Sequence, residues 1–154
     1  MRLEERVAYL LLATRQTLAV AESCSGGFLS HRLTNIPGSS HYFKGAVVAY
    51  HNTVKTQVLK IPSSLLSKFG AVSEPAASLM AQKIRKLFKT DFGIAITGIA
   101  GPTGGSKTKP VGLTFIAVAT SNETLCLECR FKGGRLAVKR QAASQALKML
   151  LEFL

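Results

Sequence analysis

The sequence predicts an α/β fold, a three-layer α/β/α sandwich with a mixed central sheet, in one domain spanning residues 1–154. Two features of the pattern lead there. Apolar runs of strand length alternate with helical segments from end to end, without an internal repeat. The last two strand-like runs are separated only by a short polar turn, which suits an antiparallel hairpin beside strands that are otherwise linked through helices. A chain of 154 residues can bury a substantial core without disulfides or metal.

Leu3 to Thr14 sets Leu3, Val7, Leu10 and Leu11 among charges, the pattern of an amphipathic first helix ending at Arg15, Gln16 and Thr17. Thr17 to Ala21, rich in small and β-branched residues, suits a buried strand. A helix from about Gly26 to Thr34 stops before the turn residues Asn35, Ile36, Pro37 and Gly38. Phe43 to Tyr50 is the second strand. Asn52 or Thr53 then caps a short helix through Leu59, and Pro62, Ser63 and Ser64 start another that ends at Gly70. Ser73 as N-cap and Pro75 in the first turn, where its missing N–H costs nothing, open a helix to about Phe88. Phe92 to Ile99, nearly continuous in apolar residues, reads as a central strand. After an irregular loop rich in Gly and Pro, Leu113 to Ala119 and Leu125 to Phe131 form two strands joined around Ser121 and Asn122. Gly133 and Gly134 introduce a last helix with Val138, Ala142, Ala146, Met149, Leu150 and Phe153 on its apolar face.

The apolar residues, 47% of the chain, lie in blocks far shorter than the roughly 20 residues of a membrane span, and no signal peptide opens the sequence. A cytoplasmic protein with no membrane partner is expected. Three cysteines, an odd and low count, fit reduced thiols. The net charge of +12 suits an acidic partner, either nucleic acid or a phosphorylated small molecule. Nucleic acid is the less favoured of the two, because the basic residues are scattered, Trp is absent and no zinc-finger or ribonucleoprotein signature occurs.

Three loops that follow predicted strands carry more small and polar residues than connection requires: AESCSGG from Ala21, YHNTVK from Tyr50 and TGIAGPTGGSKTKP from Thr97. Ligands bind beyond the carboxyl ends of strands in open α/β sheets, so the three are expected to gather into one pocket. A helix beginning near Gly26 aims backbone N–H groups at whatever lies over Ser23, Cys24 and Ser25, which favours an anion or a developing oxyanion. Ser23 and Cys24 are both candidate nucleophiles. No His or Asp is spaced to complete a Ser-His-Asp triad, which leaves Tyr50 and Lys55 to take the proton.

Other motifs lead elsewhere or nowhere. Gly101, Lys107 and Thr108 have Walker-type spacing, but Ser106 replaces the second glycine and Pro110 blocks the following helix, so an ATPase is rejected. The loop's backbone donors, with Lys107 or Lys109, stay candidates for holding phosphate. Cys126 and Cys129 lack the second pair a zinc site needs, and residues three apart on a strand face opposite sides. His31, His41 and His51 show no ligand spacing; neither a metal nor a cofactor is expected.

Taken together, AESCSGG, NIPGSS, VVAYHNTVK, GAVSEP, TGIAGPTGGSKTKPVG and FKGGRLAVKRQAASQAL, in this order, closely resemble the CinA C-terminal domain family. The resemblance covers nearly the whole chain. It implies an α/β/α sandwich, at least a homodimer, and metal-independent hydrolysis of nicotinamide mononucleotide to nicotinic acid mononucleotide and ammonia. It makes Ser23 the nucleophile with Tyr50 and Lys55 activating it and moving protons, their division of labour left open. It places Cys24, Ser25, Gly26 and Gly27, with Thr97, Gly98, Gly101 and Gly105, around the substrate, and assigns Arg135 and Arg140 to its phosphate. Ser25 stands where the family commonly has Thr, and His51 where a Ser often follows the tyrosine. The larger N-terminal domain of many relatives, similar to molybdopterin-binding folds, is not expected here, so its pyrophosphatase activity is not implied. The alternatives are an amidase for another small substrate and a non-catalytic interaction module of the same fold.

Overall fold

The computed structural model describes residues 1–154. Helix α1 (Leu3–Thr14) leads into strand β1 (Leu18–Glu22), α2 (Phe28–Thr34), a 3-10 turn at Ser39–His41 and β2 (Phe43–Val48). Two short helices, α3 (Asn52–Gln57) and α4 (Ser63–Phe69), precede α5 (Glu74–Phe88) and β3 (Phe92–Gly98). The antiparallel strands β4 (Leu113–Ala119) and β5 (Thr124–Arg130) lead to the closing helix α6 (Arg135–Leu151). The sheet order is β2-β1-β3-β4-β5, with β1 parallel to both β2 and β3, and β4 and β5 antiparallel. The mixed α/β sandwich expected from the sequence is therefore the fold.

Strand alternation sorts the core into two layers. Leu18 and Val20 of β1, Ile94 and Ile96 of β3, and Ile116 and Val118 of β4 pack with α1, α2 and α6. The opposite face presents Ala19, Ala21, Ala95, Ala117 and Ala119 to α5, whose own contacts are Ala77, Met80, Ala81 and Ile84. Small residues on both sides bring α5 close to the sheet. At Gly93 the approach leaves no room for a side chain, since a Cβ there would collide with the Ala81 carbonyl oxygen and the Arg85 Cβ. Cys126 joins one layer and Cys129 the other, as their spacing on a strand requires.

Several boundaries differ from expectation for local reasons. The helix expected from Gly26 begins at Phe28, because Gly26 (φ 60°) and Gly27 (φ 96°) hold left-handed conformations outside it. The second strand stops at Val48 rather than Tyr50, and β1 extends to Glu22. The cap of α3 is neither Asn52 nor Thr53: His51 is the N-cap, its Nδ1 accepting from the Thr53 N–H at 3.2 Å. Ser73 caps α5 as predicted, Oγ accepting from the Ala76 N–H at 3.3 Å. No helix is long and apolar enough to cross a membrane.

Candidate active site

Because β1, β2 and β3 run parallel, their carboxyl ends lie side by side and the three polar loops that follow them converge. A cavity of about 270 Å³ opens there. Ser23 and Cys24 from the β1 turn, Tyr50, Asn52 and Lys55 from the β2 side, and Thr97, Gly98 and Gly101 from the end of β3 all line it. Ala71, Val72, Ile99 and Ala100 give it an apolar wall, and Arg135 at the start of α6 completes the rim.

The chemical centre is a serine and a lysine. Lys55 is 2% exposed, and its Nζ lies 3.1 Å from Ser23 Oγ, 2.8 Å from the Ala49 carbonyl and 3.4 Å from the Tyr50 carbonyl. Burial holds the Lys55 pKa below its ordinary value, since an ammonium loses its hydration there. In the neutral amine, two N–H groups suffice for the two carbonyls and the lone pair remains for the serine hydroxyl. Ser23 is anchored by its own backbone, its N–H donating to Ile96 O at 2.9 Å and its carbonyl accepting from the Gly26 N–H at 3.0 Å.

Cys24 sits beside Ser23, but burial above all, with the nearby Glu22 charge, pushes its thiol up to about 11. A thiol so far from ionisation is a poor nucleophile at neutral pH. Tyr50 is 57% exposed, and its hydroxyl points to Arg135, whose Nη2 donates to it at 2.8 Å. The other arm, Nη1, donates to the Gly101 carbonyl at 2.7 Å. One guanidinium thus ties the β2 loop, the β3 loop and α6 together at the mouth of the cavity. Tyr50 reaches Lys55 through its backbone carbonyl, not through its phenol.

The other predicted site residues divide. Thr97, Gly98 and Gly101 line the cavity, although the Thr97 hydroxyl is committed to the Ala71 carbonyl at 2.8 Å. Ser25, Gly26, Gly27 and Gly105 do not line it. Ser25 is fully buried and its Oγ makes no well-formed hydrogen bond, while Gly105 backs onto Val111. Arg140 lies in a separate surface depression with Gln141, Ser144 and Lys148. Lys107 does not line the cavity, and Lys109 is spent on the Phe69 carbonyl at 2.6 Å. The backbone donors at the start of α2 do not await a ligand either, because Glu22 Oε1 already accepts from the Leu29 N–H at 2.6 Å.

Sequence reasoning missed Asn52, Ala71 and Val72 in the lining, and it passed over Lys139, which stands outside the lining but on the same side of α6 as Arg135. The Lys139 ammonium comes within 3.5 Å of where a Cβ on Gly26 would stand. Helical spacing was the available signal: four residues from Arg135 lies about 40° round the helix, whereas Arg140, five away, is turned by about 140°.

Fold and site together define an α/β-sandwich protein with a serine–lysine pair at the carboxyl ends of three parallel strands. The chain belongs to the CinA C-terminal domain family, whose model matches residues 1–154. A CinA-like protein of Syntrophus aciditrophicus is 51% identical over 150 residues, covering 97% of this chain and 36% of that protein. One from Acidobacterium capsulatum is 49% identical over 148 residues, 96% of this chain and 36% of that protein. The chain thus spans little more than a third of the length of these relatives. Among solved structures, the competence/damage inducible protein CihA from Agrobacterium tumefaciens superposes with a TM-score of 0.95 at 36% identity, covering 97% of this chain and 92% of that one. A CinA superfamily protein from Escherichia coli gives 0.94 at 30% identity, covering 99% of this chain and 88% of that one.

Proposed function

We propose that this protein is an amidohydrolase that converts nicotinamide mononucleotide to nicotinic acid mononucleotide and ammonia through an acyl-enzyme at Ser23. The observation that carries the reading is the 3.1 Å contact between Ser23 Oγ and the buried Lys55 Nζ inside the cavity. Neutral Lys55 takes the hydroxyl proton as Oγ bonds to the carboxamide carbon. The C–N bond then breaks as Lys55 returns that proton to the departing nitrogen, and ammonia leaves. Water attacks the Ser23 ester and gives a proton to Lys55; the bond from the acyl carbon to Oγ then breaks as Lys55 returns that proton to Oγ, and the acid departs. The Cys24 N–H, which donates to no backbone carbonyl, is a donor for the transient oxyanion. Aliphatic wall residues Val72 and Ile99 suit the flat face of a pyridine ring. Arg135 on the cavity rim supplies the positive charge for a phosphate, Tyr50 aligning it.

The test is ammonia release from nicotinamide mononucleotide by the purified protein, by Ser23→Ala and by Lys55→Ala. Activity confined to the wild type is the expected outcome. No release from this substrate, with release from another small amide, assigns the same chemistry to a different ligand; no release from any amide removes the amidase reading.

A further inference from the structure

We propose that Glu22 is a positioning residue for Ser23: its side chain reaches across the first strand-to-helix turn to the Leu29 N–H, and that reach, rather than its charge, keeps Ser23 directed at Lys55. The proposal rests on reading Ser23 as the nucleophile.

Glu22 is the last residue of β1 and fully buried. Its backbone is clamped on both sides, paired in register with Val48 of β2 and Ile96 of β3, its carbonyl accepting from the Ala49 N–H at 2.7 Å. The side chain crosses the turn that the backbone then makes. Oε1 accepts from the Leu29 N–H at 2.6 Å, and Oε2 from the Ser30 hydroxyl at 3.4 Å. No lysine or arginine forms an ion pair with it. Burial raises its pKa, and the donors at the start of α2 act in the opposite direction.

Geometry explains why glutamate serves here. The usual N-cap residues Ser, Thr, Asp and Asn act from the position next to the helix, which here is Gly27. Gly27 has φ 96°, and a Cβ on it would stand 3.7 Å from Glu22 Oε2. Two left-handed glycines therefore let the backbone wrap around a carboxylate that arrives from the strand six residues ahead of α2. Ser23 lies between the clamped Glu22 backbone and the Gly26 N–H. With the carboxylate pinning the far side, the turn keeps the Ser23 Cα–Cβ bond directed toward Lys55, and the contact with Nζ then selects the Oγ rotamer. The same contact takes the site at which a first βα-turn commonly receives a ligand's anion, leaving that task to the α6 side of the cavity.

Two substitutions separate reach from charge. Glu22→Asp keeps the charge but retracts the acceptor by one methylene; Glu22→Gln keeps the reach and an acceptor oxygen while removing the charge. The readout is sulfonylation of Ser23 by phenylmethanesulfonyl fluoride, followed by intact mass. Oγ bonds to sulfur, fluoride leaves, and the proton passes to Lys55. Positioning predicts that Glu22→Asp reacts at least about tenfold more slowly, while Glu22→Gln stays within about threefold of wild type. In turnover, the Asp variant loses kcat with KM within about twofold. An Asp variant at the wild-type rate, or a folded Gln variant as slow as Asp, overturns the proposal. Should Glu22→Asp fail to fold, hydrogen exchange of the wild-type Leu29 amide decides: strong protection supports the contact, and free exchange refutes it. Wild-type protein inert to the reagent removes the nucleophile itself and the proposal with it, whereas wild-type labelling unchanged in both variants removes only the role of Glu22.

Discussion

Replacing Lys55 by Met keeps a long unbranched side chain in the β2 loop and removes the amine that faces Ser23. General-base catalysis contributes about 10²- to 10⁴-fold, so ammonia release should fall within or beyond that range. Stability should respond in a way that depends on pH. The substitution leaves the Ala49 carbonyl, and in part the Tyr50 carbonyl, without their donor, at about 1–3 kcal/mol for a fully buried acceptor. It also removes an ammonium that burial disfavours. The folded pKa of Lys55 lies below the ordinary 10.5. Between those two values the unfolded chain holds a proton that the folded chain has released, so wild-type stability rises with pH across that window. The slope is at most about 1.4 kcal/mol per pH unit. Below the window both states are protonated and the burial penalty is fully felt. Lys55→Met lacks this gain, so the stability difference between wild type and variant should grow in favour of wild type as pH rises. Urea unfolding across alkaline pH measures it, and kcat/KM should rise earlier, as pH passes through the folded pKa at the lower edge of that window and the amine becomes neutral. Parallel stability profiles, or a variant within tenfold of wild-type activity, would refute the role of Lys55.

Three further outcomes follow from specific contacts. Arg135→Ala should raise KM for nicotinamide mononucleotide more than for the riboside lacking phosphate, while Arg140→Ala, away from the cavity, should change either by less than about twofold, as steady-state kinetics will show. Gly93→Ala forces a methyl group into the Ala81 carbonyl and should cost about 1–3 kcal/mol or more in denaturant unfolding with the site chemistry intact. Arg32 joins Glu4 of α1, at 2.6 Å, to Ser144 of α6, at 2.8 Å. Burial opposes ionisation of Glu4, but the hydrogen bond and charge of Arg32 outweigh it and leave its pKa below the ordinary 4.5. The pair's stabilisation is thus present above pH 4.5 and lost as pH falls through the folded value, and Glu4→Gln should flatten that acid dependence in thermal melts.

The layered fold and the final hairpin were legible because Phe92 to Ile99 and Leu113 to Ala119 could be little but strands and because strands alternate with helices, while the order β2-β1-β3-β4-β5 was not; in the structure a two-residue period presents one face to each helical layer. That period also held information left unread. Ala19, Ala21, Gly93, Ala95, Ala117 and Ala119 are all small and all on one face, the mark of a helix packed close. The convergence of Ser23, Lys55 and Gly101 was legible as well, since parallel strands deliver their following loops to the same end. What remained hidden depended on side-chain direction. Nothing in the spacing of Tyr50 says that its phenol turns to Arg135 while its carbonyl serves Lys55. Nor does the sequence show that Gly26 and Gly27 coil around Glu22 before a helix can begin.

Residue spacing left Ser23 and Cys24 both open as nucleophiles and the family resemblance alone selected Ser23, because the two share one turn and differ only in environment. Thiols need ionisation to react, and burial withholds it; a serine needs only a base in contact, and the same burial supplies one by disfavouring the Lys55 ammonium. Opening the cavity to water would therefore act on both groups at once, lowering the Cys24 pKa and raising that of Lys55. A substitution that floods the wall, such as Val72→Asn, should shift reactivity from Ser23 toward Cys24. Competitive labelling by sulfonyl fluoride and iodoacetamide reads that shift directly, and an unchanged ratio would mean that local contacts, rather than exclusion of water, decide which residue attacks.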